Sequence, residues 1–205
     1  MPGEIMKNEI FEVPHVFSRL ISATDVFTEA GSLLREKNYR SALILARGTS
    51  DNAAHFLKYL IETQLGMPVG LASASSVTVY NTNLRFEDVL VIAISQSGQS
   101  PDLVAYAKSA KSAGATLISM TNDPDSPLAL IARIHIDLMA GPELAVAATK
   151  SYAAQLLASY LLVCAWSGKP AEVADLVSAT NLLLTKDLAP GVKQCESFIH
   201  LLGSQ

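Results

Sequence analysis

Six polar residues, Ser95-Gln96-Ser97-Gly98-Gln99-Ser100, interrupt the chain directly after the apolar run at 88–94 and directly before Pro101-Asp102. Serine hydroxyls, side-chain amides and a glycine in that order suit a loop that takes up an anion. Pro101 fits the first position of a helix, Ser100 its N-cap and Asp102 its first turn. Gly98 lets the backbone turn without a Cβ in the way. Backbone N–H groups, hydroxyls and the positive end of a helix dipole then face one point, and phosphate is the natural guest. The dipole contributes only about 0.3–1 kcal/mol, whereas each charge-assisted hydrogen bond adds roughly 1.5–3 kcal/mol. The alternative is that Ser100 merely caps a helix while Ser95 and Ser97 fill a polar loop. A second stretch has the same grammar: ALILA, then Arg47-Gly48-Thr49-Ser50, then helical sequence with Asp51 in its first turn. Two such turns at strand ends can converge on one ligand. Neither is a dinucleotide fingerprint, since no G-x-G-x-x-G occurs, nor a Walker loop, since no Gly-Lys-Ser/Thr follows.

Positioning these loops requires strands that end together. Apolar or β-branched runs lie at 42–46, 68–72, 88–94, 115–120 and 134–138, and stretches of helical character occupy 51–65, 101–113 and 126–132. Runs that are apolar throughout, without alternation, predict strands buried on both faces, as in a parallel sheet. The expectation is an α/β fold: a three-layer αβα sandwich around a five-stranded parallel sheet, flanked by N- and C-terminal helices. Helical spacing extends over 11–37. Residues 147–167 are apolar nearly all round, as in a buried or interface helix. After Gly168-Lys169-Pro170 an amphipathic helix is predicted over 171–188. The expected organisation is a helical segment at 1–40, a ligand-binding domain at 41–168 and a C-terminal segment at 169–205.

Composition narrows the function classes. Half of the residues are hydrophobic and 17% are charged, with a net charge of −4, so no electrostatic footprint for nucleic acid exists. The two cysteines, Cys164 and Cys195, form neither a disulfide framework nor a metal pattern. The opening MPGEIMKNEIFEVPH has no apolar core of a signal peptide. The greasy segment Tyr152–Trp166 is too short to span a bilayer. A cytoplasmic protein with no membrane contact, metal or cofactor is expected.

The combination of Gly48-Thr49-Ser50, Ser95-Gln96-Ser97-Gly98-Gln99-Ser100 and the later AGPELAVAATKSY resembles the sugar isomerase (SIS) domain family. Specifically, it resembles the isomerase part of glucosamine-6-phosphate synthases and their glutaminase-free relatives, the SIS-type glucosamine-6-phosphate deaminases. NEIFEVPHVFSRL is similar to the Glu-Ile-x-Glu-x-Pro opening of those isomerase parts, and the likeness covers about residues 8 to 168. The resemblance implies a hexose or hexosamine 6-phosphate as ligand. It implies phosphate contacts from Ser95, Gln96, Ser97 and Ser100, and sugar contacts from Gly48, Thr49 and Ser50. It also brings the backbone near Val146 to the sugar, with Glu143, Ala147, Thr149 and Lys150 around it. Arg47 stands where many synthases carry Cys and deaminase-like relatives carry Arg. Pro2 stands where a glutaminase would have its nucleophilic Cys, so glutamine-dependent synthesis is not expected of this chain. Such enzymes have tandem SIS domains, and the second supplies most acid/base groups. FIHLLGSQ, residues 198–205, resembles the first strand of that second domain.

Aldose–ketose chemistry needs a base that moves a proton between C1 and C2. Glu143, in a Gly-Pro-containing loop after the last strand, is the candidate; its alternative role is a charge at the N-terminus of the following helix. Lys150 either assists the ligand or extends along its own helix. His55 either reaches a ligand or serves the surface, His15 and His200 suit subunit contacts, and His135 reads as a structural strand residue. Three functions stay open: half of a deaminase or isomerase, a non-catalytic sugar-phosphate sensor, or a one-domain isomerase completed by oligomerisation. A homodimer is the expected assembly.

Overall fold

The computed structural model describes residues 3–186; the expectations on Cys195, His200 and the strand at 198–205 lie outside the described residues. The sheet comprises β1 (Ser41–Leu45), β2 (Val69–Leu71), β3 (Val89–Ile94), β4 (Thr116–Thr121) and β5 (Ile134–Asp137). Its strands are all parallel, in the order β2-β1-β3-β4-β5. Each expected strand is present to within one or two residues. The central strand β3 shows why its sequence does not alternate. Leu90, Ile92 and Ile94 enter one apolar core, while Val89, Val91 and Ala93 enter another on the opposite face.

The helices are α1 (Glu4–Phe11), α2 (Val13–Ser22), α3 (Thr24–Glu36), α4 (Thr49–Leu65), α5 (Ala74–Thr78), α6 (Pro101–Ser112), α7 (Pro127–Ile131), α8 (Lys150–Ser167) and α9 (Leu176–Leu184). Residues of α2, α3, α4 and α8 share the larger core with one sheet face. Residues of α5, α6 and α7 build the smaller core on the other. The three-layer α/β sandwich expected from the sequence is therefore the fold. α8 packs against α2, α3 and α4, which explains an apolar pattern with no polar face.

Three details depart from the sequence reading. The N-terminal helical stretch is three helices beginning at Glu4, separated at Glu12 and Ala23. α5, with sequence ASSVT, was not expected; apart from Ala74 its residues are weak helix formers, and it is held against α6. The last helix is shorter than expected and buries none of its residues, leaving Leu182 63% and Leu183 53% exposed. Among the described residues no helix is long and apolar enough to cross a membrane.

Candidate functional site

In this strand order the chain leaves β1 toward β2 on one side, while β3 lies on the other. That reversal opens a crevice at the carboxyl ends of β1 and β3, where ligands of open α/β sheets bind. The register pairs Leu45 with Ala93, so both strands end level and their following turns sit side by side.

The loop after β3 is braced from below. Gly98 has φ +65, a conformation that favours glycine, and a Cβ there would lie 2.2 Å from Ser126 Oγ. Its N–H donates to Ser95 Oγ at 3.1 Å, and the Gln99 N–H donates to Ser97 Oγ at 3.3 Å. The loop is tied to the β4–α7 connection: the Asn122 N–H donates to Gln96 O at 3.0 Å and the Leu128 N–H to Gly98 O at 3.2 Å. Gln99 Nε2 reaches Asp123 Oδ2 at 3.3 Å. These bonds use serine oxygens as acceptors, so the hydroxyl protons of Ser95 and Ser97 remain to be donated. Ser100 is the N-cap residue of α6 but makes no capping bond, and Pro101 follows it. The hydroxyl of Ser100 and the first amides of α6 are thus left for a ligand or solvent. Ser95, Gln96, Ser97 and Ser100 come together on this one loop.

The turn after β1 completes the crevice. Gly48 takes φ 61, ψ −133, and no atom lies within 4 Å of where its Cβ would be, so the backbone is open to approach. Thr49 is exposed, while Ser50 is 7% exposed and turned inward, where its Oγ accepts from Gln155 Nε2 of α8 at 3.0 Å. Arg47 Nη1 reaches Asp102 Oδ2 at 2.6 Å, which ties the two turns together across the crevice.

A third segment, 141–149, connects β5 to α8 without regular structure. Val146 is fully exposed and Ala147 is exposed. Glu143 Oε1 accepts the Thr149 N–H at 2.8 Å and the Ser151 N–H at 3.2 Å, and its Oε2 accepts the Ser151 hydroxyl. The candidate base thus has both carboxylate oxygens on the N-terminus of α8, in the second of the two roles its position allowed. Lys150, offered as a ligand contact, is 2% exposed, and its Nζ lies 2.6 Å from Glu12 Oε2. A buried ammonium in the first turn of a helix opposes the dipole and needs such a partner.

Glu9 and Glu12 are the residues that sequence reasoning passed over. Glu9 is 4% exposed, and its carboxylate accepts the N–H groups of Leu144 and Ala145. Together Glu9 and Glu12 hold the 141–149 segment and the start of α8 from 135 or more positions away. Their visible sign in the sequence is the Glu-Ile-x-Glu-x-Pro opening at residues 9–14. Gln155 was also passed over; its visible sign is an amide inside an otherwise apolar helix.

The remaining candidates lie apart. His55 and His15 are exposed. His135 Nδ1 pairs with Ser119 Oγ at 3.1 Å, its Nε2 is buried without a partner, and burial lowers its pKa. A groove of about 700 Å³ lies at the amino ends of the strands, between Lys37, Tyr39, Thr116 and Arg133, and takes no part in the hydroxyl-rich crevice. Among the described residues no cluster of His, Cys, Asp or Glu could hold a metal ion.

Known proteins agree with this geometry. A family profile described as the SIS domain matches residues 33–165. The glutamine–fructose-6-phosphate aminotransferase (isomerizing) of Symbiobacterium thermophilum is 37% identical over 195 residues, covering 88% of this chain and 32% of that protein. The chain thus spans about a third of the length of that relative. A Silicibacter pomeroyi structure, provisionally described as a phosphosugar isomerase, superposes with TM-score 0.77 at 36% identity, covering 88% of this chain and 54% of that one. The Vibrio vulnificus NanR protein complexed with ManNAc-6P has the same fold at TM-score 0.68 and 16% identity, over 89% of this chain and 70% of that one. With its matched span running from α3 through the crevice loops into α8, the chain belongs to the SIS domain family.

Proposed function

We propose that this chain binds a hexose or hexosamine 6-phosphate in the crevice between 47–50 and 95–100. In this reading it forms the phosphosugar-binding half of a deaminase- or isomerase-like protein. The observation that carries the reading is the loop after β3. It is braced from below, it donates hydroxyls and helix-end amides upward, and it stands beside an open Gly-Thr-Ser turn. Ser95, Ser97 and Ser100, with the backbone at Gln96, take the phosphate. Gly48 and Thr49 take sugar hydroxyls, Ser50 contributes through its backbone while its hydroxyl stays on Gln155, and the backbone near Val146 and Ala147 lies over the sugar. The name of the Symbiobacterium relative and the ligand held by the Vibrio protein support the substrate class.

When complete, the reaction is ring opening, proton transfer between C1 and C2 and, for an amino sugar, release of ammonia. In this chain Glu143 is assigned to the N-terminus of α8, and Lys150 to the ion pair with Glu12. Neither is then available to move the proton, so the transfer falls to residues outside the crevice described here. We take 41–168 as the binding unit, with 1–40 bracing it and 169–205 leading away from it. The cytoplasm is its proposed site of action and a homodimer its proposed assembly.

Calorimetric titration with glucosamine 6-phosphate, fructose 6-phosphate and inorganic phosphate tests the reading, with ammonia and sugar interconversion assayed on the same samples. Binding without turnover is expected. Ser97→Ala and Ser100→Ala should each weaken binding roughly tenfold, the loss of one hydrogen bond to a charged group. Unchanged affinity in both would remove the loop from the site, and turnover by this chain would overturn the assignment of Glu143.

A further inference from the structure

We propose that Arg47 selects for the anion in this crevice and that Asp102 restrains it until an anion arrives; the proposal rests on the phosphosugar reading above. The donors of the 95–100 loop are neutral hydroxyls and amides. Besides Asp123, which accepts from Gln99 Nε2 at 3.3 Å, a phosphate there meets the carboxylate of Asp102 in the first turn of α6. Left alone, that carboxylate favours the helix dipole and repels a dianion at the same helix end. Arg47 answers it. The guanidinium extends from the other turn, 65% exposed, and touches Asp102 through a single nitrogen at 2.6 Å.

Arginine has five N–H donors in a fixed fork, and among the described residues this guanidinium has no other partner. Most of the fork is therefore unpaired and accessible beside the crevice, and its planar donors suit phosphate oxygens. Other cations of the region are committed elsewhere. Lys150 is buried against Glu12, and Arg19 donates to the carbonyl of Met139. An exposed pair of this kind is worth little to stability, so exchanging a carboxylate for a phosphate costs the fold little. The pair is a holding position, and the phosphate competes with Asp102 for the arginine.

The sign of each substitution follows. Arg47→Ala removes the fork and leaves the Asp102 charge facing the phosphate, so affinity for fructose 6-phosphate should fall more than tenfold. Arg47→Lys keeps the charge without the fork and should fall between. Asp102→Asn removes the competitor and should tighten binding several-fold, a gain that misfolding cannot produce. Arg47→Ala with Asp102→Asn should bind better than Arg47→Ala alone. Raising the salt concentration should weaken the original chain more than the Arg47→Ala variant.

Titration of the full chain and these variants with fructose 6-phosphate and inorganic phosphate decides the matter. If the original chain binds, Ser97→Ala weakens it and Asp102→Asn fails to tighten it, the restraint is overturned and the crevice stands. If Arg47→Ala binds as the original does, the selecting role is overturned. If the original chain binds neither probe, the phosphosugar reading falls and this proposal falls with it.

Discussion

Two loops at the same edge of the sheet are held in opposite ways. The loop at 95–100 is braced by near neighbours: its own serines, and Thr121 at the end of β4 and Ser126 before α7, which pack beneath Gly98, with Ser126 Oγ also accepting the Ala129 N–H at 3.3 Å. The segment at 141–149 is held by carboxylates. Glu143 belongs to the segment, but Glu9 and Glu12 come from the other end of the chain. A loop braced locally keeps its shape as long as β3 and α6 stand. A segment braced by α1 keeps its shape only while the N-terminal helices stay docked. The first is suited to a fixed phosphate subsite. The second depends for its shape on contacts made by the N-terminal helical stretch.

The largest expected effect attacks the local brace. Gly98→Ala demands a positive φ from alanine and drives a methyl group into Ser126. It should cost roughly 2–5 kcal/mol in urea unfolding and abolish phosphate binding. A variant as stable as the original would show that the loop has another available shape.

Next comes the remote brace. Glu9→Ala strands the N–H groups of Leu144 and Ala145 and should destabilise by about 1–3 kcal/mol. The contrast with Gly98 lies in the ligand. Affinity for inorganic phosphate should survive, while the added affinity contributed by a sugar should fall. Equal losses for fructose 6-phosphate and inorganic phosphate would mean that the two loops are one unit. Glu9→Gln, which keeps one acceptor oxygen, should recover part of the loss.

The smallest effect belongs to Glu143→Gln. The amide retains an oxygen to accept from the start of α8, so thermal unfolding should shift by only about 0.5–1 kcal/mol. Sugar-phosphate affinity should hardly change. A large loss of affinity would return Glu143 to the ligand and reverse its assignment as a cap.

Legibility in the sequence followed this division. The 95–100 loop was readable because everything that shapes it is written within a few residues: a buried strand, a glycine where φ is positive, Ser-Pro-Asp to begin a helix. β1 and its Gly-Thr-Ser turn were readable for the same reason. α5 was not, since ASSVT has little intrinsic preference for a helix and owes its shape to its neighbours. Lys150 and Glu143 were visible as candidates, but their partners were not. A charged side chain in a loop reads the same whether it faces a ligand or a helix end.

The sequence by itself determined the layers, the parallel sheet and the hydroxyl-rich turns, because burial on both faces and helix initiation depend on local order along the chain. Only the tertiary structure decided which charges meet. Glu12 neutralises Lys150, Glu9 takes the amides of 144 and 145, and Arg47 lies on Asp102. Coulombic and hydrogen-bond partners are chosen by distance in space, and those distances exist only after the sheet has brought its strand ends level.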